Sequence, residues 1–199
     1  MKRDDLVKRE LSRTLKELVR EKPLMSITVS ELAQVAGISR GTFYNHFFDI
    51  YDLINWTFEI DVIQPLQNYI RHHTHAWSGI TEQCLKKMYE ESDFYCQAVQ
   101  YRGQNSLRDY MRQRNLDSWK LLIDGYMGED KTFDAETLDF FERFTAQAIA
   151  NMVIEWAESG MKIPPEKMAL MDCVATRGIY GMIDAANRDD KLPGRSSPG

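Results

Sequence analysis

Residues 28–54 read TVSELAQVAGISRGTFYNHFFDIYDLI, and this stretch decides the fold. It holds two short amphipathic segments joined at Gly37, then a dense cluster of aromatic and polar side chains. Thr28 is placed to accept from the free amides of the following turn, and Glu31 to reach back to it, the pattern of a capping box. Ile27 and Leu32 are spaced to staple across that cap, and Gly37 falls where a left-handed residue ends a helix. Ser39 starts the next helix with Ile38 and Phe43 as its staple; Asp49 starts a third with Phe48 and Leu53 in the same relation. Helices this short are marginal alone in water, so tertiary packing has to hold them.

Two helices joined through Gly37-Ile38-Ser39 follow the helix-turn-helix plan. There the second helix enters the major groove while the first crosses the backbone. Phe43 and Phe47, four residues apart, face inward, which leaves Arg40, Thr42, Tyr44, Asn45 and His46 for the outside or its margins. All five are hydrogen-bonding types suited to phosphates and base edges. Upstream, Val7, Leu11, Leu15 and Leu18, with Leu6, Thr14 and Val19 beside them, keep the period of one amphipathic helix. Its outer face carries Arg3, Lys8, Arg9, Arg13, Lys16 and Arg20, and Pro23 stops it.

Downstream the pattern lengthens into helices near 50–72, 80–98, 104–127, 134–160 and 164–187, with Pro65 kinking the first. No useful period-two stretch appears, so an all-α chain is expected. The pattern divides the chain into a three-helix helix-turn-helix head over 1–48, a body of longer helices over 49–190 and a small, polar tail over 191–199 that is expected to be disordered.

No apolar run approaches the roughly 20 residues that cross a bilayer. The opening MKRDDLVKRE is too charged for a secretory signal, so a cytoplasmic protein with no membrane partner is expected. The net charge of −5 argues against a general polyanion binder. Its distribution does not: residues 1–50 carry nine Lys/Arg against seven Asp/Glu, and residues 51–199 sixteen against twenty-three. A mildly basic head on an acidic body suits a protein that docks nucleic acid with one end. Cys84, Cys96 and Cys173 are far apart and odd in number, which points to neither a disulfide framework nor a zinc site. His72, His73 and His75 lack a nearby acidic or Cys ligand to complete a metal site, so no metal and no cofactor are expected. With no Ser/His/Asp order, glycine-rich phosphate loop or HExxH motif, an enzyme is not expected either.

The run AGIS-GTFY-HF within residues 28–54 resembles the signature of the TetR family of bacterial transcriptional regulators, over about residues 10–54. The resemblance implies homodimers that present two helix-turn-helix heads, the DNA-binding domain over 1–48, to a near-palindromic double-stranded DNA operator, with the larger helical domain over 49–190 serving ligand binding and dimerisation. It implies that Thr28, Ser39, Thr42, Tyr44 and His46 face the DNA, mostly its phosphates. Arg40 and Gly41 would lie at the groove floor, with Arg40 as the base reader and Asn45 as a second base or phosphate contact. One position departs from the family: Ile50 stands where a phosphate-directed lysine is usual, a loss that Lys2, Arg3, Arg13 or backbone amides at the Asp49 cap could offset.

In the body, Trp56, Tyr89, Tyr95, Tyr101, Tyr110, Trp119 and Phe144 are candidate pocket residues for a small-molecule effector. The resemblance places the dimer interface on the last two helices, through Phe140, Phe144, Met152, Trp156, Met171, Ile179 and Met182. FYCQAVQYRGQNSLRDYM and WAESGMKIPPEKMA also look like the subgroup associated with dihydroxyacetone kinase operons, in which a protein co-regulator replaces the small inducer and the regulator can activate. Repression and activation both stay open.

Overall fold

A computed structural model of the chain describes residues 3–73, 78–127 and 134–188. Ten α-helices follow one another among the described residues, and no strand. They are α1 (Arg3–Glu21), α2 (Val29–Val35), α3 (Arg40–Tyr44), α4 (Ile50–Phe58), α5 (Gln64–His72), α6 (Ser78–Glu90), α7 (Ser92–Ala98), α8 (Leu107–Met127), α9 (Ala135–Glu158) and α10 (Pro165–Arg188). The expected tail and His75 lie outside the described residues.

The first three helices close on one apolar cluster. Leu11, Leu15 and Val19 of α1 meet Leu32 of α2, Phe43 of α3 and Phe47 just beyond it, all buried. Each such side chain contributes roughly 1.5–3 kcal/mol by leaving water, which is what lets a five-residue α3 persist. Thr28 Oγ1 accepts from Glu31 N at 3.3 Å, Ser39 Oγ from Thr42 N at 3.0 Å, and Asp49 Oδ1 from Asp52 N at 2.8 Å. The return half of the first capping box is not made, because the Glu31 carboxylate turns instead to the Lys22 ammonium. Nor does the third staple close: Leu53 is buried, but Phe48 is 78% exposed.

Lys16 also departs from expectation. It is buried rather than on the outer face, since α1 lies between the head and the body and packs on α4 and α7 as well as α2. Thr57 ties α4 into the same junction, donating to Leu53 O at 2.8 Å with its hydroxyl 2.9 Å from Ser12 Oγ of α1.

Pro65 acts through the backbone just before it. In a regular helix its ring would meet the Asp61 carbonyl, and its missing N–H would leave that carbonyl unpaired. A π-helical turn, Glu59–Ile63, absorbs this strain between α4 and α5, with Gln64 N donating to Glu59 O. The expected helix over 80–98 is two helices. Glu91 leaves helical geometry at φ −110° and ψ 34°, and its carboxylate is shared by Lys16 at 3.7 Å, Arg20 at 3.0 Å and Lys87 at 3.4 Å. In the body, α8 packs on α5 and α9 while α10 packs on α6.

Candidate nucleic-acid interface

Gly37 ends α2 at φ 69°, a left-handed value that a side chain would strain. The chain then turns through Ile38 into the Ser39 cap, so the whole turn is fixed by local backbone chemistry. On α3, Phe43 is fully buried while Arg40, Gly41, Tyr44 and Asn45 are exposed, Tyr44 to 51%. Tyr44 stands edge-on to Phe43 with ring centroids 5.5 Å apart, which props its hydroxyl outward. Arg40 forms no ion pair among the described residues, so its guanidinium is available. Thr28 is exposed as well. Thr42 is half-buried and its hydroxyl lies 2.9 Å from that of Ser39, so these two present a shared polar edge.

His46 sits less freely. Its side chain is largely covered and Nδ1 lies 2.7 Å from Asp4 Oδ1 at the start of α1. Hydrogen bonding from Lys8, followed by the charges of Lys8 and His46, holds the Asp4 carboxyl below its ordinary range. Of the cations that could offset Ile50, Arg13 is held between Glu10 and Glu17, each at 2.5 Å. Ile50 itself packs against the core.

None of the seven aromatic pocket candidates lines the partly open apolar cavity of the body. That cavity, about 80 Å³, is walled by Phe58, Val62, Ile63 and Leu66 around the π turn and by residues of α6, α8, α9 and α10. The aromatics serve elsewhere. Tyr95 and Trp119 are fully buried, and Tyr95 donates to Asp61 Oδ2 at 2.9 Å. Tyr110 donates to Glu59 Oε2 at 2.8 Å, and Tyr101 stacks on Tyr51 with centroids 3.8 Å apart. Trp56 lies edge-on to Phe47, Tyr89 stacks on Trp156, and Phe144 stacks on Phe140 at the surface. Methionine and small aliphatic residues line the cavity instead: Thr81, Cys84, Leu85 and Met88 follow one face of α6, a signal that a search for aromatics passes over.

Two interface candidates also move inside. Met152 lines the cavity, and Trp156 is buried with its indole N–H donating to Ile163 O at 2.8 Å. Phe140 and Phe144 are 71% and 64% exposed, and Met171 is exposed together with Leu170 and Val174, which sequence reasoning did not single out. The side chains of Ile179 and Met182 lie outside the described residues. Among the described residues no group of three or more His, Cys, Asp or Glu is placed to hold a metal. His72 Nδ1–H donates to Asn68 O at 2.7 Å and His73 Nδ1–H to Tyr69 O at 3.1 Å. No helix among the described residues is long and apolar enough to cross a membrane.

Residues 75–174 match the family model described as a transcriptional regulator C-terminal region, TetR_C_8. The chain belongs to the TetR family of transcriptional regulators. A curated relative is the HTH-type dhaKLM operon transcriptional activator DhaS of Lactococcus lactis, 27% identical over 95 residues. That match covers 48% of this chain and 50% of the relative, so the chain spans about half the length of the curated relative it matches. The solved structure of a dihydroxyacetone kinase operon activator DhaS superposes with a TM-score of 0.66 at 21% identity, over 90% of this chain and 97% of that one. The TetR family repressor AlkX of Dietzia superposes with a TM-score of 0.52 at 15% identity, over 86% and 97%. At these identities the superpositions speak to the fold, an N-terminal helix-turn-helix and an all-helical body.

Proposed function

We propose that this chain is a sequence-specific, homodimeric DNA-binding regulator whose affinity for a near-palindromic operator is set by an effector held in the body. The observation that carries the reading is the α3 surface. Arg40, Tyr44 and Asn45 stand exposed on a helix locked from behind by Phe43 and capped by Ser39. Arg40 pairs with guanine O6 and N7, and Tyr44, Thr42 and Thr28 hold phosphates. His46 acts from the edge of the interface and helps seat α1 against α3. The exposed apolar side chains of Phe140 and Phe144 on α9 and of Leu170, Met171 and Val174 on α10 support a second copy packed on these two helices, since monomers rarely leave so much apolar surface in water. The cytoplasm is where such a protein meets its operator.

Control passes through the π turn. Val62 and Ile63 of that turn wall the cavity, while Asp61 of the same turn grips Lys16 of α1 at 2.5 Å. Glu59 grips Arg114 of α8 on the other side, at 2.8 Å. A ligand that moves the wall therefore moves the anchor of the head.

A second reading, control by a protein partner, is favoured by the size of the cavity: about 80 Å³ is well under the roughly 300–1,000 Å³ of sites for larger small molecules. The relative named as an activator favours activation under either reading. Selection of the purified protein against random duplexes tests the proposal. Enrichment of paired half-sites about one helical turn apart is expected, and a pool that gains no consensus would overturn it.

A further inference from the structure

The cavity has a chemical sign as well as a size. Of its sixteen lining residues, most are aliphatic or methionine, and the polar ones are Thr81, Cys84, Asn115 and Asp172. The Cys84 thiol donates to Val62 O at 3.5 Å, and burial pushes its pKa up to about 12, so it stays neutral with its proton engaged. The Asn115 amide donates one N–H to Ala146 O at 2.6 Å, which leaves its second N–H and its carbonyl oxygen. Asp172, on α10, is 6% exposed. The lining thus offers neutral amide, hydroxyl and thiol groups and one acidic side chain, Asp172, and among the described residues it includes no lysine, arginine or histidine.

We infer that this cavity is a site for a small aliphatic amine, bound as its ammonium ion with the charge against Asp172 and the hydrocarbon among Met88, Met111, Met152 and Met168. A charge in an apolar enclosure is stabilised by an opposite charge that also donates hydrogen bonds. A carboxylate accepts up to about four such bonds, so an ammonium can be added to whatever else Asp172 meets. The volume of about 80 Å³ holds a chain of a few heavy atoms, and flexible methionines adapt to its shape. The inference names the ligand class for the effector site proposed above and rests on that reading only for its regulatory meaning.

The test uses the full chain carrying methionines labelled at the methyl carbon, titrated with n-butylamine, 1-butanol and butyrate at neutral pH. Butylammonium is expected to shift the methyls of Met88, Met111, Met152 and Met168 while leaving that of Met25, exposed on the head, in place. It should bind about tenfold tighter than 1-butanol, the gain of one charge-assisted hydrogen bond, with butyrate weakest. Asp172→Asn should abolish the lead of the amine over the alcohol. Butyrate binding as well as butylammonium, an unchanged amine preference in Asp172→Asn, or no shift of the four methyls would each overturn the assignment. Should Asp172→Asn not fold, the three-ligand ranking on the native chain decides alone. No DNA is present, so these spectra can fail without touching the regulator reading, and the duplex selection can fail without touching the ligand.

Discussion

Lys16, on the helix that supports the recognition segment, and Asp61, on the π turn that walls the cavity, meet at 2.5 Å with 10% and 12% of their side chains exposed. Tyr95 adds a second hydrogen bond to the same carboxylate, and burial first, then the Asp61 charge, holds its phenol well above the ordinary range. A pair placed this way adds little net stability but specifies one arrangement, because breaking it strands a charge away from water.

Removing Lys16 should therefore cost more than removing both partners. Lys16→Met is expected to lower stability by about 2–3 kcal/mol, discounted from the full buried-pair value for the residual exposure. Lys16→Met combined with Asp61→Leu, and with Tyr95→Phe to remove the hydroxyl that Asp61 accepts from, should recover most of that loss in urea unfolding. Losses that simply add would show that the pair is not coupled.

The segment between α7 and α8 straps the body to the start of α4. Tyr101 stacks on Tyr51, and the Asn55 side-chain amide donates to Asn105 O at 3.1 Å. A Cβ on Gly103 would come within 2.2 Å of the Tyr101 hydroxyl, so the ring can keep its place only beside a glycine. Gly103→Ala should displace Tyr101 and cost about 0.5–1.5 kcal/mol, with loss of near-ultraviolet tyrosine dichroism. A variant as stable as the native chain, with an unchanged spectrum, would mean the stack contributes nothing.

Alkaline stability should fall early. The Cys84 thiol is raised from 9.0 to about 12 by burial, so below pH 9 both folded and unfolded chains keep the proton. Above pH 9 the unfolded chain releases it and the folded chain does not, and stability declines with a slope approaching about 1.4 kcal/mol per pH unit. Tyr95 and Tyr110, both raised chiefly by burial, add to the decline above pH 10. Cys84→Ala should be less stable at pH 7, because the cavity grows, yet flatter between pH 9 and 10. Equal slopes would place the thiol in contact with water.

On the recognition helix, Arg40→Ala should cost roughly 1–3 kcal/mol on the selected operator and relax preference at one position per half-site. Equal losses on every duplex would make Arg40 a phosphate contact. Tyr44→Phe should weaken cognate and random DNA alike, and unchanged binding would take its hydroxyl off the backbone.

The head was legible because its signals are local. Thr28, Ser39 and Asp49 each cap the helix they precede, and Gly37 takes the left-handed turn its position asks for. What escaped is long-range. The burial of Lys16 depends on Asp61, 45 residues away, and a periodicity within α1 carries no trace of it. Pro65 signalled a disturbance, but the π turn that relieves it, with Gln64 N donating to Glu59 O, has no residue pattern of its own. The lining of the cavity was not legible either, because aromatics mark core and junction here: Trp119 is fully buried, and Tyr110 and Tyr95 anchor the π turn. Phe48 remains without a packing partner on the head, and nothing in its surroundings explains why a phenylalanine stands there.

Binding of the purified protein to its selected duplex and to a shuffled duplex of equal composition, across a range of salt, tests the central claim most directly. An affinity for the selected duplex at least about a thousandfold higher at physiological salt is expected, with both affinities falling as salt rises. Equal affinities at every salt concentration would contradict sequence reading by α3.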